Sequence, residues 1–96
     1  MNISFNPEKI KSICINNNIA YLGLFGSYAT GEETPDSDID LLVDFIDTPT
    51  LLEKGRVIVE LQEFFKKEVD LVSRKNVKPS LKPFIEEQLI TLYEEE

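Results

Sequence analysis

Asp38 and Asp40 stand two residues apart in the run DIDLLVDF, and in an extended strand residues two apart face the same way. Two carboxylates held in parallel repel each other unless a cation sits between them or one takes up a proton. Mg²⁺ suits such a pair, because it uses one or two carboxylates and completes its shell with water and phosphate oxygens. Asp70, in the run VDLV, belongs to another short apolar segment that would pair into the same sheet and bring a third carboxylate to that face. Three acids so placed can hold two metal ions about 3.5–4 Å apart, one lowering the pKa of an attacking hydroxyl and one gripping a triphosphate. Asp38, Asp40 and Asp70 are thus expected to be both the metal ligands and the catalytic set. Asp70 would either bind the ion that activates the hydroxyl or accept its proton. The opposing reading is a solvated strand end, but these acids interrupt runs of Ile, Leu and Val, where an unpaired carboxylate is costly to bury.

Gly26 and Ser27 end an apolar run ten residues before Asp38. A glycine and a small hydroxyl there allow bare backbone to approach a phosphate, so this pair is the candidate binding turn for the nucleotide. Gly-Ser alone means little, and its value lies in the spacing to Asp38. Two other motifs fail. Asp36, Asp38 and Asp40 match the first ligands of a calcium-binding EF-hand loop, but Leu41 stands where that loop needs glycine and Asp47 where it needs glutamate. Gly26 and Gly31 have the spacing of a P-loop, yet Glu32 and Glu33 occupy its lysine and serine positions. Tyr28 either packs beneath the loop or faces a nucleotide, and packing is the stronger reading.

These side chains must be carried by regular elements. Asn6, Pro7 and Glu8 read as an N-cap, a first-turn proline and an acid at the positive end of a helix dipole, with Ile10, Ile13, Cys14 and Asn17 as its inner stripe. Residues 19–25 read as a buried strand, 26–37 as an irregular functional loop, and 38–45 as a strand with Ile39, Leu41 and Val43 opposite Asp38, Asp40 and Leu42. A helix follows over about 51–67, with Val57, Leu61, Phe64 and Phe65 inward and Gly55 weakening its start. A third strand over 68–73 sets Val69 and Leu71 opposite Asp70 and Val72. Ser80 is then expected to cap a last helix whose stripe is Leu81, Phe84, Ile85, Leu89, Leu92 and Tyr93. The fold class is α/β (α+β): a small mixed three-stranded sheet with helices packed on one side, in a single domain over residues 1–93 with an acidic tail at 94–96.

The whole chain narrows the choice of partner. At 96 residues it supports one core. Asp and Glu outnumber Lys and Arg by 18 to 10, and the resulting net charge of -8 repels polyanions, so direct binding of nucleic acid is disfavoured. A triphosphate would have to be held locally, and a basic or mixed protein surface is the better partner. No apolar run approaches the length that crosses a membrane. The start MNISFNPEKIKS lacks the pattern of a secretory signal, and the lone Cys14 has no partner for an internal disulfide, which points to the cytoplasm.

The segment LFGSYATGEETPDSDIDLLVDF, with VDLVSRKNVKPSLKPFI after it, resembles the minimal nucleotidyltransferases of the DNA polymerase β-like superfamily. Their pattern of Gly-Ser, ten residues, Asp-x-Asp and a later Asp in a short strand is met by Gly26, Ser27, Asp38, Asp40 and Asp70. The resemblance implies a nucleotidyltransferase fold, Mg²⁺ on the three aspartates and the triphosphate of ATP on Gly26 and Ser27. Small stand-alone members resemble the antitoxins of HEPN/MNT modules, which implies a HEPN-type ribonuclease toxin as partner and transfer of AMP to a tyrosine of that toxin. Members often carry basic residues after Gly-Ser, where this chain has Tyr28 and Thr30. Two rival readings are a small-molecule nucleotidyltransferase and an antitoxin that neutralises its partner by contact alone.

Overall fold

The computed structural model describes residues 5–95. Helix α1 (Pro7–Asn16) begins where the sequence indicates: the Asn6 side chain accepts from the Glu8 amide at 3.0 Å, and proline takes the first turn. Strand β1 (Ile19–Phe25) and strand β2 (Ile39–Phe45) pair antiparallel, with the one-turn helix α2 (Ser27–Thr30) between them. Helix α3 (Leu51–Phe65) opens on a reciprocal cap in which Thr50 and Glu53 each bond the other's backbone amide. That cap offsets the weak helix former Gly55, which sits on an open surface with nothing within 4 Å of a Cβ. Strand β3 (Val69–Ser73) then pairs parallel with β2, as a crossover helix allows.

The last third departs from expectation. The sheet has four strands, in the order β3-β2-β1-β4, not three. Helix α4 is only Lys82–Gln88, with Leu81 rather than Ser80 at its N-cap and no side-chain cap bond. The chain then turns into β4 (Ile90–Glu94), which lies antiparallel to β1 with Leu24 opposite Ile90 and Leu22 opposite Tyr93. The free edge of β1 explains the change, because a central strand left without a neighbour would strand a row of backbone donors and acceptors. The expected tail is corrected with it: Glu94 is part of β4, and the Glu95 amide donates to the Ala20 carbonyl at 2.9 Å, while Glu96 lies outside the described residues.

The core lies between the sheet and α1 with α3. Ile10, Ile13 and Cys14 from α1 meet Val57, Leu61 and Phe65 from α3 over the inward residues of β1, β2 and β3. Asn17 ties the two helices together, its Nδ2 donating to the Glu60 carboxylate at 2.7 Å. The opposite sheet face carries Asp40, Leu42 and Asp44 on β2 and, across the ladder, Phe25, Gly23 and Tyr21 on β1. It is partly roofed: the Arg74 guanidinium stacks 4.0 Å over the Tyr21 ring, and Leu89 lies so close to Gly23 that a Cβ there would sit 2.7 Å from its Cδ1. Among the described residues no helix is long and apolar enough to cross a membrane.

Candidate active site

The parallel register of β2 and β3 places Asp40 directly beside Asp70, on the face turned away from the helical core. Asp38 stands just ahead of β2, two residues from Asp40. Asp38 and Asp70 are exposed and Asp40 is half-buried. Burial first, then the charges of Asp70 and Asp38, push the Asp40 carboxyl above its usual range. The three carboxylates therefore share one electrostatic neighbourhood, as their positions in the sequence suggest. A cation set among them would relieve that repulsion.

Gly26 meets this group from the end of β1. Its backbone has φ 77 and ψ -157, a region that residues other than glycine rarely adopt. A Cβ there would overlap Asp40 Oδ2 and lie 3.0 Å from its Cγ. The bare backbone of Gly26 is thus required by a carboxylate of the site itself. Ser27 follows as the first residue of α2, whose last turn closes on Gly31 in the left-handed region. Tyr28 is 4% exposed and part of the core, with Lys67 Nζ 5.7 Å from its ring centroid, so it packs rather than facing the loop surface. Cys14 is fully buried, and burial pushes its thiol up to about 12, in keeping with an apolar packing role.

One member of this neighbourhood was hidden from sequence reasoning. The Gly26 amide donates to Gln88 Oε1 at 2.6 Å, across 62 residues of chain. No motif marks Gln88. Its place follows from the turn of the chain out of α4 into β4, which the stripe of large apolar residues disguises as continuing helix.

Among the described residues no three His, Cys, Asp or Glu side chains close around a point as a ready-made metal cage. Mg²⁺ needs no such cage, since water and substrate phosphates supply most of its octahedral shell. Hard oxygen donors, crowded like charges and an exposed approach through Asp38 and Asp70 fit that ion.

Known proteins share both sequence and fold with this chain. The family model described as Polymerase beta, Nucleotidyltransferase matches residues 8–96. A provisionally named protein adenylyltransferase of Methanocaldococcus jannaschii is 39% identical over 82 residues, spanning 85% of this chain and 88% of its own length. Protein adenylyltransferase MntA of Thermococcus cleftensis is 41% identical over 64 residues, spanning 62% of this chain and 61% of its own. A chain from a crystal structure of a toxin-antitoxin pair with AMP-PNP superposes with a TM-score of 0.76 at 26% identity, over 96% of this chain and 76% of that one.

Proposed function

The chain belongs to the polymerase β nucleotidyltransferase family, and from that footing we propose that it transfers AMP from ATP to a hydroxyl of a partner protein. The acceptor is a tyrosine of a HEPN-type ribonuclease toxin, and the transfer makes this protein its antitoxin. The observation that carries the reading is the convergence of Asp40, Asp70 and Asp38 beside the bare backbone of Gly26. The names of the relatives, protein adenylyltransferases, support the class of acceptor.

In the reaction the acceptor oxygen bonds to the α-phosphorus of ATP as the bond to pyrophosphate breaks, pyrophosphate leaves, and the hydroxyl proton passes to Asp70 or to water. Asp38, Asp40 and Asp70 would hold Mg²⁺, which supplies charge to neutralise the triphosphate and to acidify the attacking hydroxyl. Gly26 and Ser27 would receive the triphosphate at the end of β1, next to the Asp40 carboxylate that the bare Gly26 backbone admits. Asp70, exposed at the start of β3 and level with Asp40, completes the carboxylate row on the open side, within reach of a docked acceptor. The acceptor arrives on a separate protein, which the exposure of Asp38 and Asp70 permits.

The test mixes this protein with the toxin encoded beside it, ATP and Mg²⁺, and reads the toxin's intact mass. The parent should add one or more AMP units to the toxin and suppress its ribonuclease activity. Asp38→Asn and Asp40→Asn should each slow transfer about a hundredfold or more. Equal suppression of an unmodified toxin by parent and variants would instead establish inhibition by contact and overturn the enzyme reading.

A further inference from the structure

We infer that Gln88 is a positioning residue for nucleotide binding, holding the Gly26–Ser27 turn against the aspartate group from a distant part of the chain. The inference rests on the proposed function, because it deepens the role of that turn. Gly26 is held from two sides. Its amide donates to Gln88 Oε1 at 2.6 Å, and its Cα lies so near Asp40 that a Cβ would overlap Oδ2.

The backbone at Gly26, with φ 77 and ψ -157, has no steric restraint of its own, since glycine visits many conformations at little cost. A hydrogen bond to a fixed acceptor supplies the missing restraint. Gln88 is fixed in turn, being the last residue of α4 and immediately before Leu89, which packs over Gly23, and β4, which pairs with β1. The C-terminal segment therefore sets the orientation of the turn. Without the Gln88 oxygen, the amide of Gly26 would lose its partner beside a half-buried carboxylate, and the turn could swing away from the position a triphosphate needs. Ordering it again would then be charged against each binding event.

Two substitutions separate positioning from simple support of the fold. Gln88→Leu removes the acceptor at nearly constant size. Gln88→Glu keeps an oxygen that accepts the same bond. For each protein, amide hydrogen exchange at Gly26 is followed by NMR, and the dissociation constant of AMP-PNP with Mg²⁺ is measured by calorimetry. Gln88→Leu should melt within a few degrees of the parent, lose protection at Gly26 and bind AMP-PNP about tenfold more weakly. Gln88→Glu should restore the protection at Gly26, and its added charge should leave the affinity between those of the parent and Gln88→Leu.

Parental affinity in Gln88→Leu, or weakened binding in Gln88→Leu with full protection retained at Gly26, overturns the inference alone. If the parent itself binds no AMP-PNP in the presence of Mg²⁺, the proposed function falls and the inference with it. Should Gln88→Leu fail to fold, the same two measurements on Gln88→Ala and Gln88→Glu decide the question: loss of protection and affinity in the first with protection regained in the second supports the inference, and unchanged affinity in the first overturns it.

Discussion

Asp40 is the residue on which the acid group's energetics turn. Burial and the charges of Asp70 and Asp38 raise its pKa from the ordinary 3.8. The folded state therefore holds the Asp40 proton more tightly than the unfolded chain does, and stability falls as pH rises from the ordinary value through the raised one. Above that window the charge opposes folding fully. In the absence of divalent ions, Asp40→Asn should therefore melt at a higher temperature than the parent at neutral pH, and the gap should narrow as pH is lowered toward 4. Melting curves at stepped pH in a chelator check this. Adding Mg²⁺ should raise the parent's melting temperature more than the variant's. The proximity of the acids was legible because alternation turns Asp40 away from Ile39 and Leu41, and Asp70 away from Val69 and Leu71, while the parallel register that sets Asp40 beside Asp70 is seen only in the fold. The roles of Gly26 and Gln88 against that group were not equally legible. Glycine's need for a bare Cα was expected to serve a phosphate, whereas the contact seen is with Asp40, and Gln88 gives no local signal at all.

At the scale of elements, the first five long segments are placed within a residue or two by their own chemistry. Caps at Asn6 and Thr50, alternation in β2 and the apolar run of β1 are local facts. The cap at Thr50 with Glu53 has the sequence pattern of a threonine three residues before a glutamate. The last helix failed because Leu89, Leu92 and Tyr93 satisfy helical spacing, while Ile90, Thr91 and Tyr93 also suit a strand. What decided between them was the empty edge of β1, a fact about distant residues. Truncation after Leu89 tests that reading. It should abolish cooperative unfolding, because it strips the partner from a central strand and uncovers one side of the core, where Ile90 and Leu92 pack. Circular dichroism in urea reads the outcome; a merely frayed terminal helix would leave a clean transition.

The molecule as a whole carries -8 net charge, and its field acts on any partner before contact. If the partner presents a basic surface that this field attracts, raising salt from about 0.05 to about 0.5 M should cut the association rate roughly tenfold by screening. Dissociation should change less, and stopped-flow mixing with the proposed toxin partner measures both. The sheet order has a separate consequence for how the protein is made. Tyr21 and Thr91, whose hydroxyls meet at 2.9 Å, are 70 residues apart in the chain, so during translation one edge of β1 waits for its neighbour while most of the polypeptide emerges. At roughly 5–20 residues per second that wait lasts about 4–14 s. Until residues 90–94 are made β1 lacks one of its two neighbours, so the fold closes only when nearly all of this sequence is available, and its apolar segments stay open to other chains until then.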